Sequence, residues 1–593
     1  VQNAYNFAQD ARISIRGFGA TAAFGIRGIK LIVDGIPETT PDGTGQLDNL
    51  NLDQVQSLKI IRGSNSSLYG NAAGGAILVN SAFDFARNFV KSSSMFGSYG
   101  FYSQSLSGGI KSEKSTLIGH IRYFGYDGFR DHSSFEQVNA RLAARHAFND
   151  RLKATFILEY MNSPEAMDPG GITLEDTEAN FRQARDRNVT FDAGEEISQW
   201  KAGASLEWEW SSNKKLNSYI FFNQRTFDGR LPFENGGIIS LKRDYAGIGN
   251  SLDLALGAHD IKIGYDLLSQ SDDRRRFANL EGVQGDLGFD QQESFDNLGI
   301  YILDYVEMDQ WYLSGGIRHD WNWLKAVDRF TSNGDDSGDI NIANLSYQVG
   351  LGRNIIPSLQ IFANHSTNFE TPTLNQLSNR PDNSGGFEDL KSATASTFES
   401  GVRWKNSSFQ TEIVGFLTNS KNELVPYELD NREFFRNAGE TQRKGLELAA
   451  SYRNDWLRLY SSYTYSSFEY KTFVQNDENL EGSMLPGIPK HRMSFNLIAT
   501  PIQSLEISVP IDYVGKLWAD DQNSVEVEDY LELSCSIRYT TKLKKLTVSP
   551  FAGIRNLTNQ RYFDNIRINA FGSRYYEPAP ERNFYLGITI GSR

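Results

Sequence analysis

From about residue 86 to its end, this 593-residue chain is written in period two. Leu505, Ile507, Val509, Ile511 and Tyr513 interleave with Glu506, Ser508 and Asp512. Leu206, Trp208 and Trp210 alternate with Glu207 and Glu209, and Phe156, Leu158 and Tyr160 with Thr155 and Glu159. Near the end, Phe584, Leu586, Ile588 and Ile590 alternate with Tyr585 and Thr589. Successive side chains of a strand point to opposite faces, so this pattern specifies strands with one apolar and one polar face. No stretch patterns as an amphipathic helix with comparable strength. Connections come in two kinds. Some are short, such as Phe148-Asn149-Asp150-Arg151 and Ser211-Ser212-Asn213-Lys214; others are long and polar, as at 162–198, 325–343 and 372–393.

Mean hydropathy is −0.45, and no run of about 18 apolar residues marks a transmembrane helix. A strand that crosses a membrane needs only alternate apolar residues, so a barrel is compatible with both facts. The 38 Phe, 27 Tyr and 9 Trp suit interfacial aromatic girdles, although a large soluble β-protein also carries such residues. A net charge of −14 removes the basic footprint that nucleic acid requires. The one cysteine, Cys535, rules out a disulfide framework and a multi-thiolate metal site. No signal peptide opens the chain, which for an exported protein implies a mature or trimmed form.

Residues 1–85 differ in texture. They are Gly-rich, with short apolar runs at 13–15, 29–35, 58–61 and 75–79. These read as short strands with tight turns, in a domain too small to bury a large core alone. It is expected to pack inside or against the remainder.

Specific motifs sharpen this picture. Ile13-Ser14-Ile15-Arg16-Gly17-Phe18-Gly19, Leu31-Ile32-Val33-Asp34-Gly35-Ile36-Pro37 and the segment from Ile60-Ile61-Arg62-Gly63 to Leu68-Tyr69-Gly70-Asn71-Ala72-Ala73-Gly74-Gly75 resemble, in order and spacing, the plug domain of TonB-dependent receptors. Gly553-Ile554-Arg555-Asn556-Leu557-Thr558-Asn559-Gln560-Arg561-Tyr562 and the run from Arg574 to Phe584 are similar to that family's last two strands. Within the family, Gly25-Ile26-Arg27-Gly28, Pro41–Gln46, the loop 334–339, Asn368–Thr373, Asn437–Gly445 and Tyr576-Glu577-Pro578-Ala579-Pro580 resemble the branch containing the outer-membrane receptor for pyrroloquinoline quinone.

The resemblance implies an all-β membrane protein. A 22-stranded transmembrane β-barrel over 86–593 would hold an N-terminal plug domain, 1–85, in its lumen. The 508 residues from 86 to 593 then leave about 23 per strand and link, room for a strand of ~10 residues with its connection. The family's TonB box and first plug segment, which precede the Arg-Gly motif, are expected to lie outside this sequence. The end at Ile590-Gly591-Ser592-Arg593 lacks the family's terminal aromatic, which suggests a missing residue or two.

By resemblance, Arg16 and Arg62 pair with carboxylates on the inner wall, Glu399 and Glu447 being the candidates, either as a latch between plug and wall or as ordinary lumen ion pairs. Asp34-Gly35 reads only as a turn. The apical plug loops are the ligand candidates, with Phe18, Thr21 and Phe24 in one and Tyr69 and Asn71 in the other. Arginine is the preferred bidentate partner of carboxylates, and Arg380, Arg567 and Arg574 in outer loops are added on that ground. Arg230, Arg243 and the run Arg274-Arg275-Arg276 belong to the same set of outer-loop arginines, although the run, following Asp272-Asp273, reads rather as a solvated loop. The acidic stretch 335–339 reads as a solvated loop rather than a Ca²⁺ site. No metal site is expected: the seven histidines form no ligand pair, and no nucleophile elbow, P-loop or dinucleotide fingerprint is present.

The implied function is import without bond chemistry, and no cofactor or catalytic residue. A scarce anionic small molecule, pyrroloquinoline quinone by resemblance, would bind over the plug and be imported with energy relayed by TonB, ExbB and ExbD. The setting is the outer membrane of a diderm bacterium, with lipid and lipopolysaccharide around a monomer. A ferric siderophore or ferric citrate receptor of the same fold is the alternative. A surface β-rich enzyme would need a carboxylate pair or triad that cannot be assigned here; a passive porin would lack the plug motifs.

Overall fold

The computed structural model describes residues 2–22, 25–50, 52–63, 66–378, 380–382, 385–429, 432–475 and 477–592. Its main body is a closed antiparallel barrel. Twenty-four consecutive strand segments make 22 strands, because Tyr530–Leu533, Cys535–Tyr539 and Thr541–Leu543 are one strand interrupted twice. The ring closes where the last strand, Asn583–Ser592, pairs antiparallel with the first, Phe89–Gly97. Closure leaves no open edge, the condition for a sheet to cross a bilayer. Among the described residues no helix is long and apolar enough to cross a membrane; the strands cross instead.

Period two survives intact as inside and outside. On Leu152–Met167, Phe156, Leu158 and Tyr160 are exposed on the outer face while Glu159 is buried inward. Such an apolar belt suits hydrocarbon rather than water. Strands are longest on one side: Val283–Met308 has 26 residues, far more than the ~10 that span a bilayer. On that side the wall therefore continues well beyond the membrane. This corrects the loop reading at 325–343, where strands run to Asp328 and restart at Gly338. Two short helices, Leu174–Ala179 and Asp186–Thr190, occupy the long connection 168–193.

Inside the ring sits a four-stranded mixed sheet in the order Ile36–Pro37, Ile29–Val33, Gly75–Ser81, Val55–Arg62. Ile29, Leu31 and Val33 pack with Ile15, Ile26, Ile77 and Val79 as its core. The run 13–15 is not a strand. Arg16 and Gly17 both adopt positive φ (52° and 80°), and the chain turns at once so that Phe18 and Ile15 bridge each other. Arg16 tolerates this left-handed backbone although it carries a Cβ. Asp34 and Gly35, at φ 51° and 81°, form the tight hairpin turn, but Asp34 does more than turn. Its carboxylate accepts bonds from the Ser81 N–H (2.8 Å) and hydroxyl (2.7 Å) and pairs with Arg141 on the wall. The turn reading missed this because the partner lies 107 residues away.

Candidate functional site

Above the plug, between its apex and the inward-folded outer connections, lies a cavity of about 310 Å³. Its floor is plug: Ala8–Asp10, Arg12, Thr21, Ala22, Thr44 and Gln46. Its walls come from the tops of the long strands, and its roof from the hairpin of Leu424–Leu429 and Arg432–Asn437 and from the connection 556–582. The hairpin folds inward because Leu424 and Phe435 bury with Leu374, Leu377, Phe295 and Leu324. It is tied to the neighbouring connection by Asn569 Nδ2 to the Pro426 carbonyl (3.0 Å) and by Arg574 to Glu428 (2.7 Å).

The charge of this cavity is one-sided. Ten arginines line it against five carboxylates, in a chain whose net charge is −14. Several of the guanidiniums are neutralised. Arg243 grips Asp272 through two nitrogens (2.9 and 2.6 Å), and Arg274 grips Glu293 (2.9 and 3.1 Å). Arg225 meets Asp48 at 2.7 Å, and Arg567 pairs with Asp168 and Glu577. Two are not. Arg12 donates only to the Ala20 carbonyl (3.3 Å), and Arg276 touches the Phe289 ring face (6.0 Å) with its Nε unbonded. Among the described residues neither has a carboxylate within ion-pair distance, and both are more than nine-tenths buried. Burial holds the Arg12 guanidinium below its ordinary value.

Burial and a neighbouring Asp48 carboxylate push Asp10 up to about 7, and burial raises Glu433 to about 7 against the opposing pull of Arg12. Phe227, Phe233 and Tyr427 add ring faces to the lining.

The residues singled out from sequence distribute unevenly. Thr21, Arg567 and Arg574 line the cavity. Phe18 lies just below, buried under the Arg443 guanidinium (4.1 Å), in a narrow cleft that Thr21 also lines. Phe24 falls outside the described residues. Tyr69 and Asn71 do not reach this cavity. They face a second space between plug and wall, and Asn71 donates to Thr371 Oγ1 at 2.6 Å. Arg380 is not among the lining residues either; it folds back on its own connection, donating to the Gly385 carbonyl (2.9 Å). Arg274–Arg276 is no solvated loop. It lies on the strand His259–Leu280, so alternation turns Arg274 and Arg276 inward while Arg275 points out toward Asp290. Arg12 and Arg225 went unnoticed, since no motif marks them.

Arg16 is brought to Glu447 through Nη2 (2.9 Å) and Nε (3.2 Å) and to Glu399 through Nη1, above the Phe416 ring at 4.4 Å. Arg62 is half-buried beside Glu412 (3.0 Å) and Glu447 (3.6 Å). Among the described residues no group of three or more His, Cys, Asp or Glu could hold a metal ion.

A sealed ring, a plug wedged inside it and a roofed cavity above are the geometry that a family comparison must explain. The model of the TonB-dependent receptor plug domain matches residues 1–77, and that of the TonB-dependent receptor-like β-barrel matches 139–557.

The chain belongs to the TonB-dependent receptors.

Among relatives of this receptor is the ferrioxamine B receptor of Salmonella typhimurium (strain SL1344), 22% identical over 86% of this chain and 76% of the relative. The vitamin B12 transporter BtuB of Photobacterium profundum is 22% identical over 91% and 81%. Solved structures share the fold. The ferric citrate transporter FecA, unliganded, superposes with TM-score 0.81 at 19% identity over 100% of this chain and 96% of that one. The siderophore receptor PiuA of Acinetobacter baumannii gives 0.79 at 17% over 98% and 91%. As a TonB-dependent receptor the protein works with TonB and takes a small-molecule substrate, and it is not an enzyme.

Proposed function

We propose that this receptor captures a small polyanion, pyrroloquinoline quinone as first candidate, in the arginine-lined cavity and passes it to the periplasm. TonB, with ExbB and ExbD, supplies the energy, and the protein works as a monomer amid the lipid and lipopolysaccharide of a diderm outer membrane. The observation that carries the reading is the pair of buried guanidiniums, Arg12 and Arg276, with no carboxylate at ion-pair distance among the described residues. A buried unpaired cation is costly, and an anionic ligand removes that cost only when bound. Three carboxylates on a flat ring system would use the forked arginines and the ring faces of Phe227, Phe233 and Tyr427. Ferric citrate, another polycarboxylate, and anionic ferric siderophores are the competing ligands. Coupling to TonB requires that ligand favour the signalling arrangement of the plug over the resting one.

Calorimetric titration of the detergent-solubilised receptor with pyrroloquinoline quinone, ferric citrate and a ferric catecholate tests the proposal. A polycarboxylate is expected to bind, and Arg276→Met to weaken it at least tenfold. Heat only from ferric citrate would reassign the ligand. Silence from all three, or an Arg276→Met protein that binds as tightly as the parent, overturns the reading.

A further inference from the structure

A second cavity, about 450 Å³, lies between plug and wall below the first. Most of its wall residues sit toward the ends of strands joined by the short turns: Lys215 and Asn217–Tyr219 begin one strand and Gly249–Ser251 approach the end of the next, while Asn322 and Phe369 lie nearer the outer ends of theirs. On the plug side the lining follows from period two. Ile29, Leu31 and Val33 face the plug core, so Lys30, Ile32 and Asp34 face the cavity.

Lys30 is the anomaly. It is 8% exposed, and among the described residues it has no hydrogen-bond or ion-pair partner. The carboxylates around it are already engaged: Asp34 by Arg141, and Asp266 and Asp320 by Arg318 (both 2.8 Å). Burial brings its ammonium down to about 8, with Arg318 adding to the effect and Asp266 opposing it. Arg145, on the same cavity, bonds only Thr155 Oγ1 (3.3 Å) and lies over the Phe83 ring (4.2 Å). Two cations without a carboxylate at ion-pair distance among the described residues thus face one cavity.

The loop Pro41–Thr44 has one end on each cavity. Thr44 lines the upper and Pro41 the lower. Between them Asp42, fully buried, accepts from the N–H groups of Thr44 (3.2 Å) and Leu374 (3.3 Å) and from the Thr40 hydroxyl. Gly43 has φ 91°, and a Cβ there would strike the Asn71 side chain at 2.2 Å.

We infer that the lower cavity is a second binding site for a carboxylate-bearing anion, centred on Lys30, where cargo rests after passing the loop Pro41–Thr44. The inference takes from the proposed function that the cargo is an anion. It adds where that anion travels: along the side of the plug facing the long strands. The charge order fits, because each cavity offers cations whose burial cost an anion offsets, and the loop between them carries a hydrogen-bonded carboxylate that gives the anion no resting place.

Citrate is the probe. The solubilised receptor is treated at pH 8 with trinitrobenzenesulfonate, an anionic reagent in which a deprotonated lysine nitrogen displaces sulfite from the ring, and modified lysines are identified by peptide mass mapping. Lys30 is expected among the early sites, and millimolar citrate to slow its modification several-fold while exposed Lys111 is unaffected. Protection is expected to persist in Arg276→Met, which addresses the upper cavity alone. Lys30→Met, checked for heat-modifiable mobility, is expected to keep upper-cavity affinity and lose uptake rate several-fold. Equal modification with and without citrate, or protection that vanishes in Arg276→Met, overturns the site. Protection of Lys30 in a receptor that gives no upper-cavity binding heat would sink the proposed function and leave this site standing.

Discussion

Arg16 holds a backbone angle that favours glycine while its side chain, 3% exposed, is shared between Glu399 and Glu447. Such strain persists only where surroundings over-determine it. We propose that this cluster latches the plug to the wall. Removing the arginine leaves the buried Glu399 without its cation and Glu447 with only Arg62 at 3.6 Å, a loss of about 3–5 kcal/mol for a broken buried pair. Arg16→Met, which keeps the packing over Phe416, is therefore expected to loosen the plug without opening the barrel. Faster proteolytic cleavage within residues 1–85, at unchanged heat-modifiable mobility, checks it.

Protonation gives a second outcome at this scale. Asp10 and Glu433 face the upper cavity and titrate near 7 rather than at ordinary carboxylate values. Because their folded values are raised, they cost nothing below about pH 4, and stability falls as pH rises from there to 7. Ionisation also cancels two positive charges of the cavity, so anion affinity should drop on the order of tenfold between pH 6 and 8. Titrations at both pH values measure it, and a flat profile would exclude these two groups. Of the residues themselves, Arg567, Arg574 and Thr21 were recoverable from motif neighbourhoods. Arg12 was not, and Arg276 was named among the outer-loop arginines but weighed toward a solvated loop, because what sets both apart is the absence of a partner, and no single sequence shows an absence of contacts.

At the scale of elements, the roof hairpin is held by packing rather than by ladder bonds to the barrel. Leu424 and Phe435 bury against Leu374 and Leu377 from another connection. Phe435→Ala should cost about 3–5 kcal/mol, as core aromatic truncations do, and the loss falls on the hairpin alone. Cleavage within 424–437 is expected to accelerate with the barrel intact, and ligand to dissociate faster. An equally protected hairpin would show that something else holds it. Strands of the barrel were legible because alternation is local. Their outer ends were not: Arg274–Arg276 and 325–328 carry loop-like composition, yet neighbouring strands extend the ladder through them. Conversely, the run 13–15 looked like a strand, but two positive φ angles in succession end it.

For the whole molecule, one strand displays the governing division. Leu158 faces outward at 53% exposure, while Glu159 beside it is bound by Arg141 at 2.7 Å in the lumen. A cation on the outer face pays for leaving water, so Leu158→Arg should destabilise the barrel by about 2–4 kcal/mol. Reversible denaturant unfolding in lipid vesicles reads this, and a change below 1 kcal/mol would mean that this face does not meet hydrocarbon.

By itself the sequence determined the strands with their alternating apolar and polar faces and a small Gly-rich domain that needs a host. These depend on period two and on turn residues, which act between near neighbours. The closed barrel followed only from the resemblance of its motifs to a family. Only the tertiary structure decided which arginines share a cavity, that Tyr69 and Asn71 belong to a lower space, and that Lys30 stands unpaired. The reason is physical: closing the ring and seating the plug set side chains hundreds of residues apart at ion-pair distance, and the balance of charge in each cavity exists only after that closure.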